Sequence, residues 1–228
     1  ISQLRKFKIK EKRKLIMTEQ FKLYCFAQSG NAYKAALFLS LAELDWDPVF
    51  VDFFNGETRS EEFKKINVMG EVPVLVDHDK NISQSGAILH YLSLKTELFT
   101  SNKSDIKLEI NRWLLWDNYK LTPNLATGRF MSLFLPEAKR NQSVIDFLLG
   151  RASASLKILN NHLVDREFVV GDNVSIADLS IAGYIFFTEE FDFDMSPFPN
   201  VISWRNRISK LRNWQHPYDL MPGHPIKR

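Results

Sequence analysis

The sequence predicts a two-part chain, a mixed α/β unit of four strands followed by an all-helical unit, and three observations carry that prediction. Across residues 20–95 the periodicity runs β-α-β-α-β-β-α. From residue 105 onward no stretch has convincing strand character. Between the two lies residues 96–104, a polar linker rich in Ser, Thr, Asn and Lys. One crossover pair followed by a hairpin fits a mixed sheet with helices on both faces.

Each element has a local cause. Phe21-Lys22-Leu23-Tyr24-Cys25-Phe26 alternates and is rich in strand formers, which gives the first strand. Residues 27–31 are turn chemistry, and 35–44 form a strongly apolar helix. Asp45-Trp46-Asp47-Pro48 breaks it, because the residue before proline avoids the helical region. The second strand is expected over 49–53. Asn55-Gly56 turns, and residues 60–66 form a short helix with acids first and lysines last, as the macrodipole favours. Val74-Leu75-Val76 is the third strand, opened by Pro73, which a first strand position tolerates. An Asp/His/Asn turn leads to a very short fourth strand, and Ile88, Leu89 and Leu92 then give the spacing of a buried helix.

In the second part, residues 106–119 carry a helical stripe of Ile106, Ile110, Trp113, Leu114 and Trp116. Residues 137–163 read as a long helical stretch interrupted at Gly150. Ser175-Ile176-Ala177-Asp178 is a capping box, serine oxygen to a backbone N–H and carboxylate back to the serine N–H, ahead of the apolar run 179–187. Residues 200–211 are amphipathic, with Arg205, Arg207 and Lys210 outward. The domains are therefore drawn as 17–97 and 105–220.

Composition narrows the function. The chain has 228 residues, 45% hydrophobic and 13% aromatic, enough for a sizeable core. Its single cysteine, Cys25, excludes an intrachain disulfide framework and a cysteine-based zinc site. The five histidines show no ligand spacing, so no metal site is expected. No apolar run reaches membrane-spanning length. The formal charge of +3 is unevenly placed: residues 1–16 hold seven Lys/Arg against Glu11, a local +6, which leaves −3 for the remainder. That basic segment lacks the apolar core of a secretory signal. It is expected to be a disordered leader ahead of Met17, and no nucleic-acid or membrane partner is assigned to it.

The most informative stretch is Met69-Gly70-Glu71-Val72-Pro73-Val74-Leu75-Val76, a hairpin, then Gln84-Ser85-Gly86-Ala87-Ile88-Leu89-His90-Tyr91-Leu92. Polar side chains at a strand-to-helix junction stand beside free backbone N–H groups, which suits an anionic ligand group. On these residues the chain resembles the glutathione-binding half of the cytosolic glutathione transferases, and the resemblance covers nearly all of 20–215. It implies a thioredoxin-like first domain and a helical second one. It also implies that Pro73 is cis, that the Val72 backbone pairs with the cysteinyl part of glutathione, and that Gln84 and Ser85 bind the γ-glutamyl carboxylate. The sequence departs from the pattern in three places: Gln84 stands where glutamate is also common, Val68 where proline is frequent, and Glu71, beside the same site, where lysine or glutamine is frequent.

Ser29, after the first strand and near the first helix, is the catalytic candidate. Read as a residue, it is equally a helix cap. The resemblance to serine-type transferases implies instead a hydroxyl donating to the glutathione thiolate. Lowering a thiol pKa of roughly 8.5 by about 2 units needs roughly 2.7 kcal/mol, within reach of one charge-assisted hydrogen bond and a helix N-terminus. Asn31 and Tyr24 are rival donors, and Cys25, inside the strand, reads as core. Trp113, Trp116, Tyr119 and Phe130 form an aromatic group; the resemblance implies that Trp116 and Tyr119 line a pocket for apolar electrophiles. The expectation is a cytoplasmic, homodimeric enzyme with glutathione as co-substrate and no cofactor. The alternatives are glutathione-dependent disulfide or peroxide reduction, and a non-catalytic binding or assembly module of the same fold.

Overall fold

A computed structural model describes residues 20–191 and 193–223. The basic segment 1–16 lies outside the described residues. The chain divides into two compact units, one from residues before Phe99 together with those from Arg212 on, the other Phe99–Leu211.

The first unit contains a four-stranded sheet in the order β2-β1-β3-β4, built from β1 (Phe21–Cys25), β2 (Trp46–Phe50), β3 (Val74–Asp77) and β4 (Lys80–Ser83). β1 pairs with β2 in parallel and with β3 antiparallel, and β3 and β4 form the hairpin. Alternation along β1 buries Phe21, Leu23 and Cys25 on the side of α1 (Gly30–Leu41) and α3 (Ser85–Thr96), which pack against each other. The opposite face holds a smaller cluster of Val51, Val74 and Phe63, the last from α2 (Glu61–Ile66), with Tyr24, Ile66 and Val72 against it. The β-α-β-α-β-β-α order and the two-faced mixed sheet are as the sequence indicates.

Boundaries differ where a local signal was outweighed. α1 begins at Gly30, five residues early, because the Ser29 side chain caps it and draws Gly30 and Asn31 into the first turn. It ends at Leu41, before Glu43 takes a positive φ of 55°. β2 starts at Trp46 and includes Pro48, which an edge strand tolerates. Residues 212–223, drawn on the sequence as part of the helical domain to 220, belong instead with the first unit. Their short helix, α9 (Pro217–Leu220), packs on α1.

The second unit is helical: α4 (Ser104–Trp116), α5 (Thr122–Leu133), α6 (Gln142–His162), α7 (Ile176–Ile185) and α8 (Pro199–Ile208). α4 runs into a π-helical turn over Asp117–Leu121 that the sequence did not signal. The fully buried Asp117 carboxylate there accepts from Thr122 Oγ1 at 2.9 Å and Ser180 Oγ at 2.6 Å. α6 is continuous through Gly150, contrary to the expected interruption. A mid-helix glycine costs only about 1 kcal/mol, and this one stands in open space. The break falls at Asn141, which caps α6. The Ser175–Asp178 capping box is present. No helix of the described residues is long and apolar enough to cross a membrane.

Candidate functional site

The site grows from the turn between β1 and α1. Phe26-Ala27-Gln28-Ser29 closes with the Ser29 N–H donating to the Phe26 carbonyl at 3.0 Å. Ser29 then sits at the N-cap, 6% exposed, its Oγ accepting the Ala32 N–H at 3.1 Å. A hydroxyl has two acceptor positions and one proton. The helix therefore occupies one acceptor position and leaves the O–H to donate, at the positive end of a twelve-residue helix.

Asn31, in the first turn of α1, is half-buried, and its Oδ1 lies 3.5 Å from Ser85 Oγ at the start of α3. This contact joins the N-termini of the two helices. Gln84 occupies the N-cap of α3 without capping it: φ is 67° and ψ 114°, and its side-chain Nε2 reaches outward to Glu71 Oε2 at 3.0 Å. Such a backbone conformation is unfavourable for a non-glycine residue and marks a site where local strain is held by its surroundings.

Between them runs the segment before β3. The Val72–Pro73 bond is cis. The Val72 N–H and C=O, just beyond the β1–β3 ladder, have no hydrogen-bond partner among the described residues, so an extended ligand can pair with them as an added strand would. Two residues missed in the sequence fix this segment. Asn67 donates to the Glu71 carbonyl at 2.7 Å and accepts the Met69 N–H at 3.1 Å. Gly70, with φ 62°, lies so close to the Thr58 carbonyl that a Cβ would stand 2.8 Å from its oxygen. The Asn-x-Met-Gly run carried that turn signal.

The rival donor Tyr24 is committed to packing: its ring meets Phe63 edge-on at 6.1 Å within the smaller cluster. Cys25 is fully buried, and burial pushes its thiol up to about 12, so it holds its proton at neutral pH.

The aromatic group lies in the second unit. Trp113 is core, its Nε1 donating to Glu109 at 3.0 Å and its ring 4.3 Å from His162. Trp116 ends α4, half-buried and edge-on to Trp113 at 5.0 Å. Tyr119, on the π turn, is 74% exposed, with the Lys120 ammonium 4.8 Å from its ring centre. Ser29, Asn31, Gln84, Ser85, Glu71, Val72 and Pro73 thus lie in the first unit, and Trp116 and Tyr119 present aromatic surface on the second.

Residues 19–93 match the model of the glutathione S-transferase N-terminal domain, and residues 121–211 that of the C-terminal domain. The disulfide-bond oxidoreductase YfcG of Escherichia coli (strain K12) is 29% identical over 80% of this chain and 87% of its own. A zeta-class glutathione S-transferase of Euphorbia esula is 31% identical, covering 86% and 89%. Among solved structures, a possible glutathione S-transferase from Rhodopseudomonas palustris superposes with a TM-score of 0.81 at 28% identity, over 91% of this chain and 92% of that one.

Proposed function

The chain belongs to the glutathione S-transferase family, and from that premise we propose that it conjugates the glutathione thiolate to apolar electrophiles. The observation that carries the reading is the Ser29 hydroxyl, capped on its acceptor side by Ala32 N–H and free to donate. Glutathione lies along Val72 as an added strand, with Pro73 shaping the bend. Its γ-glutamyl carboxylate meets Ser85, Gln84 and the α3 N-terminus, and its sulfur comes to Ser29. Asn31 steadies Ser85, and Glu71 faces the cationic end of the ligand's amino acid group through its contact with Gln84. Ser29 donates to the sulfur and the thiol proton leaves to solvent. The thiolate forms a bond to the electrophilic carbon as the leaving group departs with the bonding pair. Trp116 and Tyr119 receive the apolar body of the electrophile. The rate gain combines a lowered thiol pKa with proximity. The enzyme acts as a cytoplasmic homodimer, with glutathione as co-substrate and no further cofactor.

A second reading is glutathione-dependent disulfide reduction, favoured by the likeness to a disulfide-bond oxidoreductase. Cys25, the one cysteine, is buried and protonated, so glutathione supplies the sulfur there too. The glutathione thiolate attacks the glutathionyl sulfur of a glutathione mixed disulfide, the S–S bond breaks as oxidised glutathione forms, and the released thiolate takes up a proton.

The test is glutathione binding, followed by thiolate absorbance of the complex against pH for wild type and Ser29→Ala. The wild type is expected to titrate well below a free thiol, and Ser29→Ala to bind yet titrate near 8.5–9, roughly the unperturbed value. Equal titration would remove Ser29 from the chemistry. Absence of glutathione binding in a folded wild type would leave a non-catalytic module. Turnover of a haloarene beside a mixed disulfide and an organic peroxide separates the two enzymatic readings.

A further inference from the structure

Residues 212–223 return to the first unit and cross α1 from its last turns to the turn before it. Three of their carbonyls accept in sequence from α1 and the turn before it. The Asn213 carbonyl takes Ser40 Oγ–H at 2.7 Å, the Gln215 carbonyl takes Tyr33 Oη–H at 2.8 Å, and the Pro222 carbonyl takes the Ala27 N–H at 2.7 Å. Arg212 adds an exposed ion pair to Glu43 at 3.5 Å. The last two carbonyl contacts bracket Ser29. Ala27 is the second residue of the four-residue turn that delivers Ser29. Tyr33 lies one helical turn beyond, its own N–H donating to the Ser29 carbonyl at 2.9 Å.

The tip of the segment is closely fitted to the turn. Gly223 has φ 128°, and a Cβ there would stand 3.2 Å from Ala27 N and from Gln28 Oε1, and 3.3 Å from Ala27 Cβ. Only glycine adopts that backbone without strain and leaves the turn undisplaced. We propose that residues 212–223 are a positioning strap for Ser29, with Pro222 and Gly223 fixing the turn before it and Gln215, through Tyr33, fixing the helix after it. The proposal rests on the reading of Ser29 as the thiolate donor. A donor has to be held within about half an ångström of its productive place to keep its effect, and a cap at the start of a helix has support on one side only unless the turn ahead of it is pinned.

The test uses the full chain with Gly223→Ala, Tyr33→Phe, Ser29→Ala and Gly171→Ala. The last is a control, because Gly171 also has a positive φ, 70°, but no neighbour within 4 Å of an added Cβ. The expected result is that Gly223→Ala raises the titration of bound glutathione by about one unit, a tenfold fall in the thiolate-to-thiol ratio at any given pH. Tyr33→Phe moves it in the same direction. Glutathione affinity changes by less than about twofold in both, since the groups that hold the peptide are untouched. Gly171→Ala leaves the titration alone. Amide exchange supplies a reading independent of catalysis: the Ala27 amide exchanges faster in Gly223→Ala while β1 stays protected. The strap is overturned, with the Ser29 reading intact, if Ser29→Ala titrates as a free thiol while Gly223→Ala and Tyr33→Phe titrate as wild type. Unchanged Ala27 exchange overturns it as well. If Ser29→Ala itself titrates as wild type, the Ser29 reading falls and the strap's role falls with it.

Discussion

Asp178→Ala should strongly destabilise the helical unit. The carboxylate is fully buried and accepts four hydrogen bonds: Val169 N–H at 2.8 Å and Trp204 Nε1–H at 2.9 Å on Oδ1, Ser175 N–H at 2.9 Å and Ser175 Oγ–H at 3.0 Å on Oδ2. Burial holds the carboxyl above the usual carboxylate range, and these donors offset only part of that rise. Removing it strands two backbone N–H groups and an indole N–H, none of which can rotate to water, since Val169, Ser175 and Trp204 are at most 2% exposed. Each stranded buried donor costs about 1–3 kcal/mol, the hydroxyl can re-aim, and the removed carboxylate returns its own desolvation cost, so the net loss is about 4 kcal/mol. In a protein of this size that lowers Tm by about 12 °C. Asp178→Asn should cost about 2 kcal/mol, because an amide NH2 on the Oδ2 side would face the Ser175 N–H. Trp204→Phe removes one donor and should cost about 1 kcal/mol. Calorimetry and denaturant unfolding of the three variants measure these values. A loss below about 1.5 kcal/mol for Asp178→Ala, or none for Asp178→Asn, would refute the account of a donor-loaded buried carboxylate.

Two further predictions concern the first unit. Asp77 is buried, and burial pushes its carboxyl up; hydrogen bonds from Lys95 and Tyr91, both 2.5 Å, with the charges of Lys95 and His78, outweigh burial and hold it below the usual carboxylate range. A depressed folded pKa contributes stability that is present above the unfolded value of about 3.9 and lost as pH falls through the folded one. Lys95→Met should therefore cost about 2 kcal/mol at pH 7, begin acid unfolding at higher pH, and converge with wild type at the lowest pH; parallel curves would contradict this. Gln84→Gly should stabilise the fold by about 0.5–1 kcal/mol by relieving the positive φ. It should also weaken glutathione binding about tenfold, the equivalent of one charge-assisted contact. Thermal unfolding and calorimetric titration of one sample read both, and a variant that is neither more stable nor weaker in binding would dissociate the strain from the site.

What could be read in the sequence was whatever a short stretch decides alone. The alternation of Phe21, Leu23 and Cys25 set β1, the Ser60 cap with Glu61 and Glu62 set α2, and the Ser175–Asp178 spacing set α7. Pro48 misled because its effect depends on whether the strand lies at a sheet edge, and that is a property of the assembled order. The π turn after Trp116 needs the Asp117 carboxylate to find Ser180, 63 residues away. The strap contacts span 182 residues for Tyr33 and Gln215 and 173 for Ser40 and Asn213, beyond any periodicity argument. Pro222-Gly223 did carry a turn signal, but nothing local says which surface that turn meets.

The same contrast bears on the proposed site. Of the three helices packed on the sheet, α1 and α2 are capped by the serine that local rules call for, Ser29 and Ser60. α3 breaks the rule: Gln84 holds the cap position in a strained backbone and sends its amide outward, leaving the first N–H groups of α3 uncapped by a side chain. Beside it, the Val72 N–H and C=O have no hydrogen-bond partner among the described residues, at the end of a ladder that could have continued. Uncapped N–H groups and an unpaired strand residue are liabilities in a free protein, and a peptide with a carboxylate at one end satisfies both at once. Ser29 obeys the capping rule and still has a proton to give, so the cap and donor readings of that residue describe one geometry. A change of serine to threonine at 29 should keep both roles, whereas asparagine should keep the cap and lose the hydroxyl.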